Sequence, residues 1–225
     1  MTKLKLAVAM IFACSILVGC ASSHSVIDQS WIQKPAKVKV VFTEPHIDSP
    51  KDLQDDLPDY VNNFSDWYKS QLETNLGAQT KGVLYSVERI SQDLIKTETV
   101  SENGSSFWVP TISEMNPEAD VYLVINDIWI GRIVSETTCS MGGGFGMGGG
   151  FGVGGGVGMG TTCSQNKDFT AKGRYAYYDA KTGKRLGYGD IEAKSGYTFT
   201  VSLSDWENVV EKTVSTVLEN TPIKK

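Results

Sequence analysis

Apolar residues recur along this chain at strand spacing and at helix spacing, with one stretch between them that follows neither. Residues 37–43 alternate and then become continuously apolar, which predicts a first strand. A helix follows. Leu57, Tyr60, Val61, Phe64, Trp67, Tyr68 and Leu72 share one helical face. Asp55 or Asp56 is its expected cap, Pro58 lies in its first turn, and Gly77 ends it. Residues 83–87 predict a second strand. Asn103-Gly104 marks a hairpin turn between 94–100 and 106–109. Residues 121–134 form a long apolar strand, interrupted by Asn126, Asp127 and Arg132 and expected to bend near Asp127. Residues 169–178 and 185–193 are two hairpin arms around the turn at 180–184. Ser204 and Glu207 read as a capping box for a last helix. Its buried stripe is Trp206, Val209, Val210, Thr213, Val214, Val217 and Leu218, and Pro222 stops it.

This order predicts an α/β fold: a mixed β-sheet with two main helices packed on one face, plus a long glycine-rich loop. The 225-residue chain suits one such domain, placed at residues 37–221.

Residues 141–160 make up that loop. They comprise 13 glycines and seven apolar residues, with no polar side chain. The hexapeptide Gly-Gly-Gly-Phe-Gly-Met and two close variants follow one another, so that every even position from Gly142 to Gly160 is glycine. In an extended backbone all side chains would fall on one face. Ordinary flexible linkers combine Gly with Ser, whereas this segment combines it with Met, Phe and Val. Three readings stand side by side. One is a mobile loop left by repeat expansion. The second is a contact element that inserts in a bilayer or packs on another copy. Its length is about enough for two membrane-barrel strands of ~9–11 residues, although glycine is a poor strand former. The third is a silk-like assembly element. The contact reading singles out Phe145, Met147, Phe151 and Met159. A G-x-G-x-x-G match inside a glycine run is nearly unavoidable, and neither a helix start nor Lys-Ser/Thr follows it, so no nucleotide and no cofactor is expected.

The first residues give an address. Lys3 and Lys5 precede an apolar run from Leu6 to Val18, too short to stay in a bilayer as a spanning helix. Leu17-Val18-Gly19-Cys20 resembles a bacterial lipobox. The resemblance implies a signal peptide at residues 1–19, an acylated Cys20 (a palmitate-type modification) and a lipidated tether at 20–36. Firm anchoring takes more than one acyl chain. Ala21, in place of Asp, implies the outer membrane, with the domain facing the periplasm. Trp31 and Ile32 mark where the tether would dock. Cys139 and Cys163 bracket the glycine segment with 23 residues between them, and in an oxidising compartment they read as a disulfide.

The formal net charge is −5, and the chain has no basic block, so no nucleic-acid partner is expected. His24 lies in the tether. Glu44, His46 and Asp48 could hold a metal loosely, but one short segment rarely supplies a full site. Asp127 and Arg132 must be paired if buried. Asp179 with Lys181, Lys184 and Arg185 reads as turn chemistry. Trp67 and Trp206 read as core, whereas Trp108 and Trp129 could be core or exposed contacts. There is no G-x-S-x-G elbow, H-E-x-x-H or C-x-x-C, so a hydrolase is the weakest reading.

Together with Ala119-Asp-Val-Tyr-Leu-Val124 and the long hairpin after it, the lipobox and tether resemble a broad set of envelope lipoproteins. The set includes the curli-secretion lipoprotein, the activators of penicillin-binding proteins and the amino-terminal domain of TolB. The resemblance implies a non-enzymatic outer-membrane lipoprotein that binds or organises another envelope component, or associates with itself. The alternative is a ring-forming secretion or pore lipoprotein that uses the glycine loop for insertion or assembly.

Overall fold

The structure is a computed structural model that describes residues 24–142, 160–197 and 200–224. Its strands are β1 (Ser25–Ile27), β2 (Lys37–Phe42), β3 (His46–Ile47), β4 (Leu84–Arg89), β5 (Ile95–Glu102), β6 (Ser105–Ile112), β7 (Val121–Gly142), β8 (Gly160–Asp179) and β9 (Arg185–Tyr197). Its helices are α1 (Pro50–Asp56), α2 (Phe64–Gln79) and α3 (Leu203–Leu218). The main sheet runs β1-β9-β8-β7-β2-β4, with β3 also on β7. β2 is parallel to both β4 and β7, while β7, β8, β9 and β1 pair antiparallel, so the sheet is mixed.

Both faces of the sheet are covered, which explains why β2 turns from alternation to Val40-Val41-Phe42. On one face α2 buries Phe64, Trp67, Tyr68, Leu72 and Leu76, and α3 buries its whole expected stripe. They pack on Val38, Val40, Phe42, Leu123, Ile125, Tyr175 and Tyr177. Tyr177 donates to the carbonyl of Val217 at 2.7 Å, which satisfies a fully buried hydroxyl. On the other face the β5–β6 hairpin sets Ile95 and Val109 against Val41, Tyr122, Val124, Ala176 and Tyr178. Tyr178 donates to the carbonyl of Pro110 at 2.9 Å, and burial pushes its pKa up to about 12. The hairpin turns at Asn103 and Gly104, both at positive φ.

Several expectations need correcting. The expected helix starts later than its expected cap: residues 58–60 form a 3-10 turn, α2 begins at Phe64 after Asn63, and Val61 of the expected stripe is exposed, while a separate helix, α1, ends before Pro58. Leu57, just before Pro58, takes φ −131°, ψ 58°, because proline disfavours helical backbone in its predecessor and supplies no N–H. Ser49 caps α1 by accepting from the Asp52 amide, and Asp56 sits in the last turn of α1 rather than capping anything. α2 runs through Gly77 to Gln79, because Leu76 before it and Thr80 after it are both buried. The capping box on α3 is Ser202 with Asp205, two residues earlier than expected. Asp205 accepts from the Ser202 amide at 2.8 Å and hydroxyl at 2.7 Å. The segment expected to be a free tether is docked from His24 onward. β1 adds to the edge of β9, and Ser25 shares a 2.9 Å hydrogen bond with Tyr175. Trp31 packs against Tyr177 at 5.1 Å between ring centres, while Ile32 stays exposed.

β7 and β8 are also far longer than expected. β7 bends where expected. Asp127 takes φ 54°, and the register skips between Asn126 and Trp129. The bulge shifts facing parity by one. Before it, odd positions Leu123 and Ile125 face the helices; after it, even positions Ile128 and Ile130 do.

Candidate functional site

The feature that stands apart from this packed body is the far end of the β7–β8 hairpin. β9 leaves β8 at the Lys167–Tyr197 pair. On the other side of β7, β3 reaches only Ile130. Beyond those points, among the described residues, β7 and β8 continue paired with each other alone, from Glu136–Asn166 through seven pairs to Gly142–Gly160. At ~3.4 Å per residue this two-stranded ribbon extends about 20 Å. It leads directly into the glycine segment. Phe145, Met147, Phe151 and Met159 lie outside the described residues, as does Cys20. Cys139 and Cys163 are direct partners in the ribbon register.

The root of the ribbon is fastened to the helical layer. After the bulge, Arg132 points to the helix side. Its guanidinium contacts Asp52 at 2.5 Å and donates to both oxygens of Asp56 at 2.8 and 2.7 Å. Asp56 also accepts from the Trp206 indole N–H at 3.2 Å. The Asp56 carboxylate is only 6% exposed. Burial raises its pKa, against the pull of Trp206 and Arg132, and nearby Asp52 adds to the rise. Trp206 in turn packs on Phe169, the strand partner of Arg132, at 4.5 Å between ring centres. This network joins β7, β8, α1 and α3. It ties the root of the ribbon to the helical layer.

A second polar patch surrounds the bulge. Asp127 pairs with Arg174 at 2.9 Å, and Arg174 lies 4.9 Å from the Trp108 ring centre. Trp108 is 59% exposed, the contact alternative of the two left open for it. His24 stacks on Phe107 at 3.8 Å, nearly parallel, with its Nε2 3.8 Å from Glu102. Glu44, His46 and Asp48 do not converge on one point. Glu44 turns to Arg89 at 2.7 Å and to the Ser65 hydroxyl, while His46 pairs along β7 through its backbone. Among the described residues no three His, Cys, Asp or Glu side chains gather around a metal position. Asp179 accepts from the Thr182 hydroxyl and from the amides of Thr182 and Lys181, the turn chemistry expected of it, and these bonds, the hydroxyl first, lower its pKa. Lys184 and Arg185 instead reach Asp28 and Glu98.

Asp52 and Asp56 escape the sequence reading. A carboxylate before Pro58 reads as a cap, and nothing local reveals a guanidinium 76 residues away. The signal available was the rule that a buried Arg132 needs a partner.

No family model and no curated protein matches the chain. Among solved structures, it is similar to a putative neuraminyllactose-binding hemagglutinin homolog from Helicobacter pylori. Identity there is 12% and TM-score 0.36, over 83% of this chain and 82% of that one. It is also similar to PelC dodecamers from Paraburkholderia phytofirmans in two crystal forms. One has 10% identity and TM-score 0.34, over 91% of this chain and 99% of that one. The other has 11% identity and TM-score 0.33, over 90% and 96%. With TM-scores this low, none of the three bears on what this chain binds. No helix among the described residues is long and apolar enough to cross a membrane.

Proposed function

We propose that this is a non-enzymatic outer-membrane lipoprotein, anchored through acylated Cys20, that presents the β7–β8 ribbon and its glycine segment to another envelope component from the periplasmic side. One observation carries the reading: the ladder continues for seven pairs after both flanking strands have ended. A two-stranded ribbon without neighbours is marginal in water, so a chain that maintains one has a use for its tip. Two further points support it. The Arg132 network fixes the root of the ribbon, and the segment at its tip is apolar with no charge to solvate it. Paired Cys139 and Cys163 would brace the ribbon midway.

The test compares the mature lipoprotein with a variant lacking residues 141–160, both extracted in mild detergent. The proposal expects an envelope partner that cross-links to the wild type and is lost on deletion. A large ring whose ion conductance disappears on deletion would favour the pore alternative. An unchanged set of partners, native mass and phenotype would sink both readings.

A further inference from the structure

We infer that β4 is a self-pairing edge, through which two copies of this chain join their sheets about a two-fold axis at Val87. β4 ends the main sheet and, among the described residues, pairs only with β2. Leu84 and Ile90 donate their amides to Ala36 and Phe42 on the β2 side. In the parallel register between them, Ser86 and Glu88 also face β2, so the N–H and C=O groups of Tyr85, Val87 and Arg89 point outward.

Natural edge strands are usually protected by Lys, Pro, a bulge or a covering element. Leu-Tyr-Ser-Val-Glu-Arg has no Lys or Pro, and its register with β2 has no bulge. Its two charges are already neutralised within the molecule, Glu88 by Lys39 and Arg89 by Glu44. Leu84 is 69% exposed at the end of the strand.

The strand is complementary to itself. Antiparallel pairing centred on Val87 would set Val87 opposite Val87 and Tyr85 opposite Arg89, all hydrogen-bonded positions that use the outward groups. On the helix face each guanidinium would then lie beside a Tyr ring. On the other face Leu84 meets Ile90, and Ser86 meets Glu88. No like charges oppose each other, and the exposed leucine gains an apolar partner. The occupant is therefore a second copy of this chain. A ring through sheet edges would need the opposite edge as well, and there the edge strand is β1, whose three residues Ser25–Ile27 offer too short a partner for the six of β4. The pairing does not involve residues 141–160, so it survives their deletion, and its failure is distinguishable from failure of the proposed function.

The experiment follows native mass against concentration for the full mature chain in mild detergent, with amide hydrogen exchange along β4. Ser86→Glu places carboxylates opposite Glu88 at both ends of the pairing, and within the monomer leaves Lys39 shared between two carboxylates, so protection of the β2-bonded amides is read beside it as the check on an intact β4. It should weaken the dimer about tenfold, and Ser86→Lys should tighten it. In the dimer Tyr85, Val87 and Arg89 should become protected and lose that protection on dilution. Ser86 and Glu88, bonded to β2, should stay protected throughout and report an intact strand. A monomer at all concentrations, or a dimer indifferent to both Ser86 variants, would overturn the inference. So would a larger ring with Tyr85, Val87 and Arg89 exchanging freely.

Discussion

Arg132 on β7 donates to both carboxylate oxygens of Asp56 on α1, and this pair ties the foot of the projecting ribbon to the helices. The bulge at Asp127 makes the contact possible. Without its one-residue shift in facing, Arg132 would lie on the face opposite the helices. A polar break in an apolar strand thus serves orientation.

Breaking the pair from one side strands a buried charge. Arg132→Met should cost about 3 kcal/mol in urea unfolding, because Asp56 loses its counter-charge while staying covered. Asp56 already titrates above its ordinary value, and the variant should raise it further. A raised folded-state pKa means that folding takes up a proton. Stability is then greatest below the unfolded value and is lost as pH rises through the folded one. The deficit of Arg132→Met should accordingly shrink as pH falls. A deficit independent of pH would show that Asp56 is not the stranded group.

Where local pattern and tertiary packing agree, the fold was legible. The α3 stripe, Trp67, Trp206 and the Asn103-Gly104 turn all lie where spacing predicts, because burial on one face and a tight turn are both local constraints. The bend at Asp127 was legible for the same reason. The failures have a common physical origin. Ser25–Ile27 is too short to show alternation and becomes a strand only because β9 offers an open edge. Residues beyond Val134 lack an apolar pattern, yet they continue the ladder through backbone pairing, which leaves no trace in side-chain type. The Asp56 partnership joins residues far apart in the chain.

β1 docks on β9 at Gly187 and Gly189, the glycines on either side of Tyr188. A Cβ on Gly189 would come 2.5 Å from the His24 carbonyl oxygen and 2.8 Å from the Tyr175 hydroxyl. Gly187 is similarly close to Val26 and Ile27. Gly189→Ala should therefore displace the segment rather than the core. We expect loss of amide protection at residues 25–27 and faster proteolysis there, with a global cost of about 1–3 kcal/mol. Unchanged protection at Ser25–Ile27 would count against close packing as the reason for glycine.

Asp205 shows the opposite pH behaviour to Asp56. Burial raises its pKa, but the Ser202 hydroxyl and amide and the Ser195 hydroxyl outweigh that, and the net shift is downward. A lowered carboxylate contributes stability above its unfolded pKa and loses it as pH falls through the folded value. Asp205→Ala should cost about 1 kcal/mol at neutral pH through the lost cap. Its unfolding curve should approach that of the wild type in acid below the ordinary Asp value of 3.8. Stability profiles that stay parallel through that acid range would rule the cap out as a pH-dependent element.

Cys139 and Cys163 are direct antiparallel partners in the part of the ribbon that no third strand supports. Such partners have Cα atoms about 4.5–5.5 Å apart, inside the ~4.4–6.8 Å that a disulfide spans. A bond here would close a loop with 23 residues between the cysteines, and the chain-entropy model gives about 3 kcal/mol for a loop of this order. That stabilisation would act on a ribbon that pairing alone holds poorly. Peptide mapping under non-reducing conditions should recover a single peptide joining the two cysteines. Cys163→Ser should then raise amide exchange from Glu136 to Gly142 while leaving α3 and β2 protected. Free thiols in protein secreted through an oxidising compartment, or exchange in the ribbon unmoved by the substitution, would mean that the ribbon stands without a covalent brace.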